Sequence, residues 1–300
     1  MRAYKIRLII LVVLLLGVAL SLYAVFREER NGILTVAFLN VGQGDAIFID
    51  APNGNQLLID GGPGKAVLRE LSKVMPFYDR SIDVVIATHA DQDHVGGLPN
   101  VLKKYKVNIF MESRVPGESS SYEELEKIIA EREVSSSSPE DRAGIKKILA
   151  RRGMLIDLGD GAILQILFPD RDPSGMDTNV ASIVARLIYG DNEFLLTGDS
   201  PLAIENYLVS VVPTSDIKVG SLESDVLKVG HHGSKTSTSQ AFVSAVSPEY
   251  AIISVGKDNR YGHPNQEVLD TLTAFGTQIL RTDQSGRVVF KSDGVNLGVK

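Results

Sequence analysis

The densest chemistry in this chain lies in His89-Ala90-Asp91-Gln92-Asp93-His94, four potential metal ligands in six residues, directly after the apolar run Asp83–Thr88. A loop leaving the end of a buried strand can turn such closely spaced imidazoles and carboxylates inward and chelate one or two cations. A polar turn also favours Asp and Gly, but it has no need of two of the chain's five histidines. Two further segments repeat the arrangement. Phe194-Leu195-Leu196-Thr197-Gly198-Asp199 delivers a carboxylate at the end of an apolar strand, and Val226-Leu227-Lys228-Val229-Gly230-His231-His232-Gly233-Ser234 delivers two histidines beside glycine. Asp199 taken alone would suit a helix N-cap, since Pro201 follows it. Three strands that each end in ligand-type residues favour one shared site.

Elements must exist to bring these ends together. Short apolar runs broken by Gly and Asp predict strands at Leu34–Asn40, Ala46–Asp50, Gln56–Asp60, Asp83–Thr88, Ile163–Phe168, Ile183–Tyr189, Glu193–Thr197, Val226–Val229, Tyr250–Val255, Gln278–Arg281 and Arg287–Lys291. Helical spacing predicts helices at Lys65–Met75, Tyr122–Arg132, Asp141–Arg151, Pro201–Val209, Gln240–Val246 and Gln266–Phe275. The serine-rich stretch from Glu133 to Glu140 reads as a surface loop. Strands and helices interleave through both halves, which predicts sheets flanked by helices.

Leu8 to Phe26 is a run of nineteen residues without a charge, and about twenty apolar residues span a bilayer as a helix. Arg2, Lys5 and Arg7 precede it, while the segment Arg27-Glu28-Glu29-Arg30 is neutral. The positive-inside rule then leaves the N-terminus in the cytoplasm and the bulk of the chain outside. The competing reading is a cleaved signal sequence, whose apolar region is shorter and ends at a small-x-small site. Residues 1–30 are thus expected to be a membrane anchor or signal sequence, and residues 31–300 the working domain.

The chain contains no cysteine, which excludes disulfides and thiolate metal sites, so any metal must be held by His and carboxylates. The net charge is −6. Without the first thirty residues, which hold five basic and two acidic side chains, 26 basic residues face 35 acidic ones, or −9. That balance argues against tight nonspecific binding to nucleic acid. Nothing in the sequence specifies an oligomeric state.

Beyond the individual motifs, the set resembles the metallo-β-lactamase superfamily, whose signature is a strand followed by HxHxDH; here Asp91 stands where the second histidine usually is. More narrowly it resembles the C-terminal domain of the ComEC-type competence proteins, a DNA-uptake channel family. The matching segments are Leu39–Ala46, Ile59-Asp60-Gly61-Gly62, the run from His89 to Gly97, Asn179 near Ser182, Leu196–Asp199, Lys228–Ser234 and Asn259–Pro264. They extend over roughly residues 33 to 292 and are specific as a set. The large membrane channel domains of that family have no counterpart here, so a hydrolase module on its own anchor is expected.

The resemblance implies an α/β fold, the αββα metallo-β-lactamase sandwich, with two divalent metal ions at one edge. It assigns His89 and Asp91 to one metal, Asp93 and His94 to the other, Asp199 as the bridge, and His231 or His232 to complete the second site. An oxygen-rich set of this kind makes Mn²⁺ a rival to Zn²⁺. Asp60 and Asp45 are expected to buttress the ligand loops or to cap turns. Asp93 or Asp199 would steer the proton of the attacking water. His263 would contact a phosphate or protonate a leaving oxygen, and Asn179, Ser234 and Lys235 are candidates for supporting or substrate contacts. The functions implied are an exported phosphodiesterase acting on single-stranded DNA, a hydrolase of another phosphoester or ester such as a cell-wall phosphocholine group, or a non-catalytic metal-binding module.

Overall fold

The computed structural model describes residues 2–28, 32–133, 144–211 and 221–300. Strands β1 (Leu34–Phe38), β2 (Ile47–Asp50), β3 (Gln56–Ile59), β4 (Ser81–Ala87), β5 (Lys106–Glu112) and β6 (Lys146–Leu149) build most of one sheet. A second sheet follows from β7 (Leu155–Gly159), β8 (Ala162–Phe168), β9 (Val184–Tyr189), β10 (Asn192–Leu196), β11 (Val226–Lys228), β12 (Tyr250–Ile253) and β13 (Gln278–Arg281). The chain then returns to the first sheet with β14 (Val288–Ser292) and β15 (Leu297–Val299). The strand orders are β15-β14-β1-β2-β3-β4-β5-β6 and β13-β12-β11-β10-β9-β8-β7.

Period-2 alternation explains how the layers form. In β1, Leu34, Val36 and Phe38 turn to the opposing sheet, while Ala37 turns outward to the helices. The inter-sheet core centres on Phe290, whose ring meets Phe38, Phe194 and Tyr250 edge-on at 6.1, 5.7 and 5.4 Å between centroids. The outer face of the first sheet packs on α2 (Ala66–Val74), through Leu71, on α4 (Leu98–Lys104), through Leu98 and Leu102, and on α5 (Ser120–Arg132), through Leu125 and Ile129. The second sheet is covered by α6 (Leu202–Val211), α7 (Gln240–Val246) and α8 (Gln266–Ala274). This is the expected αββα sandwich. Ahead of it runs α1 (Arg2–Glu28), whose segment Tyr4–Tyr23 is long and apolar enough to cross a membrane and buries nothing against the body. The short α3 (Gln92–Val95) carries the middle of the ligand-rich segment.

One expected helix is a strand. Asp141–Arg151 was given helical spacing, but its described part forms β6, which pairs in parallel with β5 as the sheet's edge. Edge pairing overrides local propensity here, and Lys146 and Lys147 suit an edge because charge deters further strand addition. Residues 134–140 of the expected loop lie outside the described residues.

Direction matters more for function than strand count. Strands β3 and β4 are parallel, as are β10, β11 and β12, and all five run toward the same end of the sandwich. Their carboxyl ends, with the loop after β1, therefore converge there. The chain enters at the opposite end, where Tyr189 Oη donates to the carbonyl of Gly32 at 2.8 Å.

Candidate metal centre

From the first sheet, β3 ends just before Asp60 and β4 ends just before Thr88 and His89. Asp60 is buried in a left-handed conformation (φ 59°), and its carboxylate accepts from the Thr88 backbone N–H at 2.8 Å and the Thr88 hydroxyl at 2.7 Å. The same carboxylate lies 2.8 Å from His94 Nδ1. A carboxylate only accepts, so Thr88 spends its one hydroxyl proton on Asp60. The 3.0 Å contact between Thr88 Oγ1 and His89 Nδ1 must then be donated by the imidazole. Asp60 thereby sets the tautomer of both histidines, His94 directly and His89 through Thr88, and leaves each Nε2 lone pair aimed inward.

The second sheet supplies the rest. Asp199 follows β10, with its backbone N–H held by Ser182 Oγ at 3.1 Å. Gly198 at φ +52° has no room for a Cβ, which would stand 2.2 Å from that hydroxyl. After β11 the chain passes through His231 (φ 47°) and His232 (φ 55°), two consecutive left-handed residues that are not glycine. Such strain persists only where the surroundings over-determine it. For His232 they do: its Nδ1 lies 2.9 Å from the Ser254 carbonyl and 3.4 Å from Asp45 Oδ1. Asp45 in turn forms a fully buried ion pair with Lys228 at 2.6 Å. Gly44 permits this approach, since a Cβ there would sit 2.1 Å from the Asp93 carbonyl oxygen.

Around the centre, His94 Nε2 is 3.2 Å from Asp199 Oδ1, and His232 Nε2 is 3.2 Å from Asp93 Oδ2 and 3.5 Å from Asp199 Oδ2. His89 Nε2 is 3.7 Å from Asp91 Oδ2 and 3.8 Å from Asp199 Oδ2. Donors on a tetrahedral ion with bonds of about 2.0–2.2 Å stand about 3.3–3.6 Å apart, so these spacings suit a shared cation. The buried Nε2 atoms of His89, His94 and His232 and Asp199 Oδ1 have no hydrogen-bond partner. Four buried polar atoms of this kind in one cluster are costly unless a ligand, or protons shared with the neighbouring carboxylates, satisfies them. The donor set therefore fits metal ions.

Electrostatics agree. Burial opposes charge on His94 and His232, but Asp199 and Asp60 outweigh it at His94, and Asp199 and Asp45 at His232, whose pKa rises to about 10. Burial also disfavours the Asp199 carboxylate, yet the neighbouring His232 and His94 hold its pKa well below the usual range. His89 is pushed down to about 4 by burial and then by His94. In the metal-free protein, protons on two imidazoles thus stand in for cations.

The remaining candidates are placed as follows. Asp91 is partly exposed at the rim, and burial, then Asp93 and Asp199, raise its pKa against a hydrogen bond from Thr178. His231 is half-buried, 3.7 Å from Asp199 Oδ2, with Nδ1 3.2 Å from Thr236 Oγ1. Of the two neighbours, His232 is the one set among the donors. His263, its pKa lowered by burial and then by His231, stacks on Tyr261 and shares a cavity of about 190 Å³ with Gln43, Asp91, Asp93, Asp199, His231 and His232. Asn179 belongs to the loop of Thr178, and its Oδ1 is buried without a partner. Ser234 is buried and bonds Thr236, whereas Lys235 is exposed. Four supporting residues received no role in the sequence reading: Thr88, Ser182, Lys228 and Ser254. Ser182 and Lys228 left a trace within the matching segments, Lys228 also as a charge inside the apolar strand before His231.

The chain belongs to the metallo-β-lactamase superfamily, which it matches over residues 39–257. Within it, the chain is 33% identical over 273 residues to ComE operon protein 3 of Bacillus subtilis, a match covering 85% of this chain and 33% of that protein. It is 31% identical to competence protein ComA of Neisseria gonorrhoeae, covering 87% of this chain and 32% of that one. The chain spans about a third of the length of these relatives. Among solved structures, Igni18, a metallo hydrolase of Ignicoccus hospitalis, shares the fold with a TM-score of 0.51 at 16% identity, over 85% of this chain and 98% of that one.

Proposed function

We propose that residues 31–300 form a binuclear metal-dependent phosphodiesterase acting on DNA, and that residues 1–30 anchor it to a membrane with the hydrolase domain on the extracytoplasmic side. The observation that carries the chemistry is the cluster of unpartnered Nε2 atoms of His89, His94 and His232 around Asp199. His89 and Asp91 would hold one ion, Asp93, His94 and His232 the other, and Asp199 both, since its Oδ1 faces His94 and its Oδ2 faces His89 and His232. Two divalent cations, Zn²⁺ or Mn²⁺, would activate water near neutral pH and neutralise phosphoryl charge.

The chain's own residues supply the rest. Asp93 or Asp199 would accept the proton of the attacking water, and His263, its pKa lowered by burial, would donate an N–H to a phosphoryl or leaving oxygen. His231 lines the same cavity and would contact substrate there. DNA is preferred as substrate because the relatives are named for competence and recombination. The acidic balance of the chain and the small cavity favour a second reading, hydrolysis of a low-molecular-weight phosphoester or cell-wall phosphocholine ester.

The test uses the full chain in detergent, loaded with Mn²⁺ or Zn²⁺, against single-stranded DNA and bis-p-nitrophenyl phosphate, with Asp93→Ala as the control for contaminating nuclease. Metal-dependent cleavage of both substrates, lost in the variant, is the expected result. Cleavage of the small ester alone selects the second reading. Inactivity toward both with two ions bound removes the phosphodiesterase.

A further inference from the structure

Outside α1, six large apolar side chains are exposed among the described residues: Phe77, Tyr78, Leu155, Tyr261, Phe275 and Val295. Tyr261 lines the metal-centre cavity and Leu155 begins the edge strand β7. The other four share the opposite end of the sandwich. Phe77 and Tyr78 occupy the turn between α2 and the start of β4, with ring centroids 5.4 Å apart. Phe275 ends α8 just before β13 begins, and Val295 sits in the hairpin between β14 and β15. Strand register places these three points at one end, because β4 and β13 start where β10 and β3 start, and β14 ends beside the start of β1. Phe77 is 85% exposed and Val295 68%, more than an isolated surface apolar group requires.

The chain arrives at this same end. Gly32 is held there by Tyr189, and only residues 29–31 separate it from Glu28, the last residue of α1. Four peptide steps reach at most about 14 Å. The end of the apolar helix therefore lies within that distance of Gly32, at the same end of the sandwich as Phe77, Tyr78, Phe275 and Val295. Three separated apolar points define a plane, and Phe and Tyr rings are suited to the boundary between headgroups and acyl chains.

We propose that this end face rests on the bilayer that holds α1, with Phe77, Tyr78, Phe275 and Val295 seated in the interface. The metal centre is then held at the far end, facing water. This rests on the reading of α1 as a membrane anchor. The contact rests on these four apolar side chains; of the acids at this end, Asp79 is engaged by Gln56 and Ser81, Asp225 by the Glu193 N–H, and Asp293 by Val295 and Asn296, while Asp191 and Glu223 line a separate cavity of about 790 Å³. Zwitterionic phosphatidylcholine should suffice, and salt should not release the contact.

The chain has no tryptophan, so single Trp variants report each point separately. Full-length Phe77→Trp, Phe275→Trp and Val295→Trp would be reconstituted in phosphatidylcholine vesicles, with Tyr261→Trp as the far-end reference. The expected result is blue-shifted emission, quenched roughly twofold by brominated phosphatidylcholine at the first three positions. Tyr261→Trp should stay water-like and unquenched. Unquenched Phe77→Trp and Val295→Trp in protein that floats with the vesicles would overturn the proposal and leave the anchor standing. Emission that is blue-shifted but insensitive to bromine means a second protein copy covers the face, which also overturns it. Equal quenching at Tyr261 overturns the orientation. Protein that does not float with vesicles removes the anchor reading itself, and the proposal with it.

Discussion

The two halves of the metal centre are built differently. On the first sheet's side, one carboxylate, Asp60, organises two histidines from a single contiguous loop, and among the described residues it makes no ion pair with a lysine or arginine. On the second sheet's side, Asp199, His231 and His232 come from separate strand ends, and His232 is steadied by Asp45, which reaches across from the first sheet and neutralises buried Lys228. Both orienting carboxylates thus come from one sheet. Asp60 serves the site alone, whereas Asp45 serves the site and the join between sheets.

That difference can be broken by substitution, starting with the largest effect. Asp45→Ala leaves Lys228 buried without a counter-charge and should cost about 3–5 kcal/mol of stability, read from denaturant midpoints. Asp45→Ala with Lys228→Met should recover much of that loss. If the single variant is as stable as the parent, Asp45 has no role in the join. Asp60→Asn takes one of two carboxylates from His94 but leaves it Asp199; it should weaken metal binding roughly 10- to 100-fold, about 1.4–2.7 kcal/mol, while the metal-free fold loses less stability than in Asp45→Ala. Equal loss of stability in the two variants would erase the distinction.

The neighbours His231 and His232 sharpen it further. His232→Ala should remove one ion, measured by elemental analysis, whereas His231→Ala should keep both and raise KM. The reverse outcome would return His231 to the donor set. The smallest effect is in pH. His94 and His232 carry raised pKa values in the metal-free protein, so they are protonated below those values and metal must displace the protons. Metal affinity should therefore rise with pH through neutrality, with proton release detectable by titration in buffers of different ionisation enthalpy. Affinity that is flat with pH would mean the imidazoles are already neutral.

Legibility followed the same divide. The sequence exposes the first half, because His89, Asp91, Asp93 and His94 lie in one segment. It exposes Asp199 and the His231–His232 pair as strand-end residues, but not which histidine turns inward, because that depends on two left-handed φ angles and on the Ser254 carbonyl just after β12. Thr88, Ser182 and Ser254 act through hydrogen bonds, that of Ser254 from its backbone carbonyl, which common residue types give no reason to single out. The helix expected over Asp141–Arg151 failed because an edge strand with lysines on it has the same composition as an amphipathic helix. The missed strands β5, β7 and β15 and helix α4 are similarly short or mixed in character.

Every candidate donor at the centre is a nitrogen or an oxygen. With no thiol to oxidise or to be captured in a disulfide, the site should tolerate thiol-blocking reagents and the thiol oxidation that disable thiolate enzymes. The same hard donor set binds several divalent ions without strong preference, so the ion it carries should track what its surroundings offer. Metal supply, rather than redox state, is the environmental variable to which this fold is open.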